Sequence, residues 1–69
     1  MNDHVYKTVE ITGSSKTSAE DAIKNAISMA AKTIRNMEWF QVIETRVHIK
    51  DGAIGHYQVT LKLGFKLEA

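Results

Sequence analysis

Cysteine is absent from the 69 residues, which excludes a disulfide framework and a thiolate metal site. An excess of one charge is missing as well. Nine basic and eight acidic side chains are interspersed for a net charge of +1, so no basic stripe exists to release many counterions from nucleic acid. No apolar run approaches the ~20 residues of a membrane span, and the opening includes Asp3 and His4 instead of a basic, apolar leader. These absences predict a cytoplasmic protein with neither a nucleic-acid nor a membrane partner. Catalytic machinery is also lacking. No glycine belongs to a phosphate-loop pattern, and no nucleophile stands at a useful spacing from a base and an orienting acid. The expectation is a protein that is not an enzyme.

What is present, 43% apolar and 25% charged residues, fits one small soluble domain spanning residues 1–69. A chain of this size buries only ~60% of the surface its unfolded form exposes, so it is close to marginal alone. With no disulfide or thiolate metal as a staple, oligomerisation is the expected source of further stability.

Alternation from His4 to Thr12 predicts a first strand, with Val5, Val9 and Ile11 on one face and Tyr6, Thr8, Glu10 and Thr12 on the other. Gly13, Ser14 and Ser15 read as a turn. Ser18, followed by Glu20 and Asp21, reads as an N-cap with acids in the first turn. Apolar residues at three-and-four spacing from Ala19 through Ala22, Ile23, Ala26, Ile27, Ala30 and Ile34 to Met37 then predict a helix roughly 28 Å long, enough to cover a sheet end to end. Lys32 and Arg35 suit its C-terminal end. A second strand runs from Trp39 to Lys50, but its phase slips: Phe40 and Val42 are apolar at even positions, Val47 and Ile49 at odd ones. A bulge between Ile43 and Arg46 would restore one buried face, leaving Trp39, Gln41, Arg46 and His48 on the other. Asp51-Gly52 supplies a hairpin turn. A third strand carries Tyr57, Val59, Leu61, Leu63, Phe65 and Leu67 opposite His56, Gln58, Thr60, Lys62, Gly64 and Lys66.

The expected fold is α+β: a β-α-β-β subunit whose three-stranded antiparallel sheet, order 1-3-2, packs on one helix. One sheet face is left for solvent, a ligand or another subunit. Trp39 on that face offers a π surface for either a subunit contact or ligand stacking. Gln58 both donates and accepts, which suits the edge of a heterocycle, although an exposed strand glutamine is commonly just solvated. Arg46 is placed to hold a carbonyl or phosphate, or simply to pair with Glu44 or Glu10. His4, His48 and His56 fall one per strand, a pattern that predicts no metal site. Ser14, Ser15 and Ser18 are explained by capping and turn formation without an anion.

Val5-Tyr6-Lys7, Glu10-Ile11, Gly13-Ser14-Ser15, Ser18 and Glu20-Asp21-Ala22-Ile23 together resemble the opening of the dodecins, small flavin-binding proteins. Trp39-Phe40, Val42, Glu44, Arg46, Gly52, Tyr57-Gln58-Val59, Lys62 and Gly64-Phe65-Lys66-Leu67-Glu68 extend the similarity over essentially the whole chain. The resemblance implies a hollow dodecamer with pairs of flavins stacked between tryptophans at two-fold axes. It places Trp39 at the stacking tryptophan, Gln58 at the glutamine bound to the ring edge and Arg46 at an arginine near the flavin. Lys66 and Lys62, which share the outward parity of Gln58, are second-choice phosphate contacts, the alternative being a solvated face. The implied ligand is flavin mononucleotide (FMN), with riboflavin second and coenzyme A as an additional ligand. The implied role is flavin storage and quenching of the photoexcited state; the alternative is a structural assembly protein in which Trp39 anchors a subunit contact. Two residues depart from the family pattern: Gln41 stands where an acid is usual, and Val47 where a glycine normally follows the arginine. A valine at a position needing a positive backbone angle would strain the chain, whereas the phase pattern makes Val47 a helix-side residue.

Overall fold

The computed structural model describes residues 3–68. Strand β1 (Tyr6–Ser15), helix α1 (Ala19–Ala30), strand β2 (Met37–Lys50) and strand β3 (Ala53–Lys66) follow in that order, and the antiparallel sheet runs β1-β3-β2. This is the topology the sequence patterns imply. The turn is as expected: Asp51 and Gly52 both have positive φ, 52° and 76°, the geometry of a two-residue hairpin whose twist matches its strands.

Three boundaries differ from the sequence reading. β1 begins at Tyr6 and continues through Gly13, Ser14 and Ser15, which pair with Val59, Gln58 and Tyr57 instead of forming a turn. Gly13 lies in a strand because the helix approaches so closely there that a Cβ would meet the Ala22 carbonyl and lie 2.8 Å from the Ala26 Cβ. The helix stops at Ala30, short of Ile34 and Met37, so Lys32 and Arg35 lie beyond it. Three-residue hydrogen bonds close its end, Lys32 N–H to Met29 O and Thr33 N–H to Ala30 O, and Asn36 at φ 62° reverses the chain. β2 starts two residues early, at Met37.

The shortened helix changes what is covered. Twelve residues of helix span ~18 Å, whereas the 14-residue strands β2 and β3 each span ~48 Å. Helix α1 sits mainly on β1 and β3. Ala22 and Ala26 meet Val59 and Leu61 in the core, flanked by Ile11, Ala19, Ile23 and Ile27. Val59, Leu61 and Leu63 are buried within one subunit, each contributing about 1.5–3 kcal/mol. Phe40, Val42 and Val47 keep the helix-side parity expected of them, but the short helix does not cover them and they remain exposed, and Ile49 on the hairpin arm is 78% exposed. Such a band calls for another protein surface.

The N-terminus of α1 uses its own polar groups. Ser18 Oγ accepts from Asp21 N–H at 3.0 Å, Ser15 Oγ donates to Asp21 Oδ2 at 2.7 Å, and Thr17 N–H donates to Ser15 Oγ at 2.9 Å. Ser18 caps the helix as expected, whereas Ser14 and Ser15 belong to β1 and Ser15 Oγ is engaged by Asp21 and Thr17.

Candidate functional site

Register decides which side chains share the open face. In an antiparallel pair, residues directly opposite each other project to the same side, and Leu61 and Leu63 on β3 point to the helix. The positions between them therefore point away. Trp39 opposes Gly64, Gln41 opposes Lys62, Glu44 opposes Thr60, Arg46 opposes Gln58, and His48 opposes His56. All of the outward residues expected on β2 are on this face.

The slip that brings them into line lies at Ile43, the unpaired residue between Val42 and Glu44, at the edge of the interval the sequence pattern marked. Val47 is not a bulge residue. It pairs with Tyr57 on the helix side, and it has no positive φ, so no strain attaches to the valine. Two further irregularities escaped the sequence reading. Glu38 is unpaired between Met37 and Trp39, which turns Trp39 outward, and Gly55 is skipped between the His48–His56 and Ile49–Ile54 pairs. The spacing of Met37 and Phe40, both on the helix side, carries the first signal; a lone strand glycine carries the second.

Trp39 is not without a partner in its own chain. Its indole lies over Gly64, where an added Cβ would fall on Cε2 and Cζ2 and within 2.7 Å of Cδ2. The glycine seats the ring against the strand. Trp39 remains 42% exposed, and with Phe40, Met37, Ile27 and Leu63 it lines a groove of about 250 Å³ beside β2. An indole held in this way is a stacking platform for a flat ring.

Arg46 and Gln58 are also engaged. Arg46 Nη2 donates to Glu44 Oε1 at 2.5 Å, the surface pair anticipated for it, and with both side chains more than half exposed it is worth under about 1 kcal/mol. His48 Nε2 is 3.2 Å from Gln58 Oε1. The His48 ring is also stacked on His56, with centroids 4.3 Å apart and planes 15° apart. Two of the three histidines, expected on separate strands, thus converge. His4 precedes β1, and among the described residues no group of three or more His, Cys, Asp or Glu side chains is arranged to hold a metal.

The candidate residues form two clusters. Gln58 and Gly64 are six positions apart on β3, about 20 Å at ~3.4 Å per residue. Trp39 therefore sits far from Gln58 and Arg46 within one subunit. Lys66 belongs with the tryptophan end, two residues beyond Gly64 and opposite Tyr6, with its backbone N–H donating to Asn36 O at 3.0 Å. A small ring that touches Trp39 and Gln58 at once must take them from different copies of the chain.

The Dodecin family model matches residues 5–68. The chain belongs to the dodecin family. It is 45% identical to the dodecin of Thermus thermophilus over 64 residues, 93% of each chain. The solved dodecin of Streptomyces coelicolor superposes with a TM-score of 0.93 at 42% identity, covering 100% of this chain and 99% of that one. The calcium dodecin of Mycobacterium tuberculosis is 30% identical over 63 residues, 91% of this chain and 89% of that protein. The β-α-β-β subunit with strand order 1-3-2 is thus the dodecin fold. No helix among the described residues is long and apolar enough to cross a membrane.

Proposed function

We propose that this dodecin is a cytoplasmic flavin-storage protein that assembles as a hollow dodecamer and holds flavins in stacked pairs between the Trp39 indoles of neighbouring subunits. The observation that carries this reading is the Trp39 indole seated on Gly64 with an exposed remainder on an uncovered sheet face. Isoalloxazine is flat, apolar on its faces and polar at one edge. Those properties suit an indole for the face and an amide for the edge. The ~20 Å between the two clusters supports assembly of the site across subunits. The exposed apolar band of Phe40, Val42, Val47 and Ile49 supplies surface for that assembly.

In this reading Gln58 binds the ring edge, Arg46 of the same cluster holds a carbonyl or the phosphate, and Lys66 is a further phosphate contact. FMN is the first ligand, riboflavin the second, and coenzyme A an additional one. The bound flavin supplies light absorption, and the electron-rich indole in contact with it quenches the excited state, so the role is buffering and photoprotection without turnover. Titration of the ligand-free protein into FMN tests this: flavin fluorescence should fall to a saturable endpoint. A colourless purified protein that leaves FMN fluorescence unchanged would point instead to a structural assembly protein in which Trp39 only anchors a subunit contact.

A further inference from the structure

Gln58 projects from the middle of the open face, yet its amide is tied to an imidazole. His48 Nε2 lies 3.2 Å from Gln58 Oε1, and stacking on His56 at 4.3 Å restrains the His48 ring from turning. An amide oxygen only accepts, so the nitrogen facing Oε1 must carry a proton. Were the amide turned over, its NH₂ would face Nε2, which would then have to be a bare acceptor with the proton on Nδ1. The two arrangements present opposite halves of Gln58 to anything on the sheet. The first frees both amide N–H donors, and the second frees the carbonyl. A doubly protonated His48 has no acceptor and allows only the first.

The geometry points to His48 as a positioning residue that sets the hydrogen-bonding polarity of Gln58, so that a proton on Nε2 directs the amide N–H groups outward and selects a ring edge presenting a carbonyl oxygen. The identity of the ligand rests on the flavin reading above; the state of the His48–Gln58 pair does not. Charged groups sharing this face include Glu44 and Arg46 on β2, Lys62 on β3, Glu10 on β1 opposite Lys62, and Lys66 at the tryptophan end. Arg46 is directly opposite Gln58 but is paired with Glu44. His56 acts on the pair through the stack that holds the His48 ring in place.

The test uses riboflavin, which has no phosphate, bound to the assembled protein. His48→Phe, which keeps a ring on His56 but has no N–H, should bind about three- to tenfold more weakly than wild type, a factor typical of one neutral hydrogen bond. His48→Gln, whose amide N–H replaces the imidazole donor, should recover the affinity. Sedimentation of each variant should show an unchanged assembly. Wild-type affinity in His48→Phe overturns the inference. A second measurement needs no flavin: ¹⁵N spectra of histidine-labelled ligand-free protein should show His48 protonated at Nε2, and a neutral Nδ1–H form would overturn the inference. Failure of wild type to bind riboflavin counts against the flavin reading, and the tautomer measurement then decides the His48–Gln58 inference alone.

Discussion

Trp39 and Gly64 are cross-strand partners in which the absence of one side chain makes room for the other: the indole occupies the space a Cβ on Gly64 would fill. The ring is thereby pressed onto β3 with its far side turned outward. Gly64→Ala should lift the indole off the strand without touching the ligand directly. The expected outcome is a shifted tryptophan emission spectrum and a loss of flavin affinity of about 1–3 kcal/mol, comparable to losing one aromatic stack. Unaltered emission together with unaltered affinity would mean that the glycine does not seat the ring.

A second glycine governs stability. At Gly13 an added methyl group would meet the Ala22 carbonyl and the Ala26 Cβ, so Gly13→Ala should destabilise the protein by about 1–3 kcal/mol through overpacking. Loss of the N-cap in Ser18→Ala should cost about 1 kcal/mol. Thermal or denaturant unfolding checks both, and the larger effect should belong to Gly13→Ala.

Much of the fold is legible in the amino-acid sequence wherever a residue has one job. Asp51-Gly52 marks the hairpin because both residues take positive φ, and the even-to-odd slip of apolar residues on β2 marks the bulge at Ile43. The helix end is not legible in the same way. Ile34 and Met37 continue the three-and-four spacing, yet Ile34 follows the closing turn and Met37 already belongs to the sheet, opposite Phe65. Gly13-Ser14-Ser15 has turn chemistry but serves close helix approach, a long-range constraint that local pattern does not carry. The candidate site is partly legible: alternation places Trp39, Arg46 and Gln58 on one face. Their ~20 Å separation depends on the cross-strand register from Trp39–Gly64 to Arg46–Gln58, and that register also brings His48 to His56.

The hairpin arm yields a prediction about assembly. Ile49 and Ile54 oppose each other beyond the reach of the helix and are 78% and 60% exposed. Sedimentation of the wild type should give one discrete large oligomer. Ile49→Lys should shift it toward smaller species while far-UV circular dichroism stays unchanged. A folded wild-type monomer at micromolar concentration would contradict the proposed assembly.

Arg46→Ala distinguishes two uses of the guanidinium. If it contacts phosphate, FMN should weaken more than riboflavin, and added salt should narrow the wild-type preference for FMN. Equal losses for both ligands would place Arg46 at the ring or in the assembly.

The central claim, that Trp39 both stacks on flavin and darkens it, is tested most directly by comparing FMN fluorescence on saturation with wild type and with Trp39→Phe. Phenylalanine offers a stacking face but is a poor electron donor. Wild-type complexes should be nearly dark, whereas Trp39→Phe should retain measurable binding, by equilibrium dialysis, with brighter and faster-bleaching flavin. Equal darkness of the two complexes, or FMN binding that ignores the substitution altogether, would contradict the account.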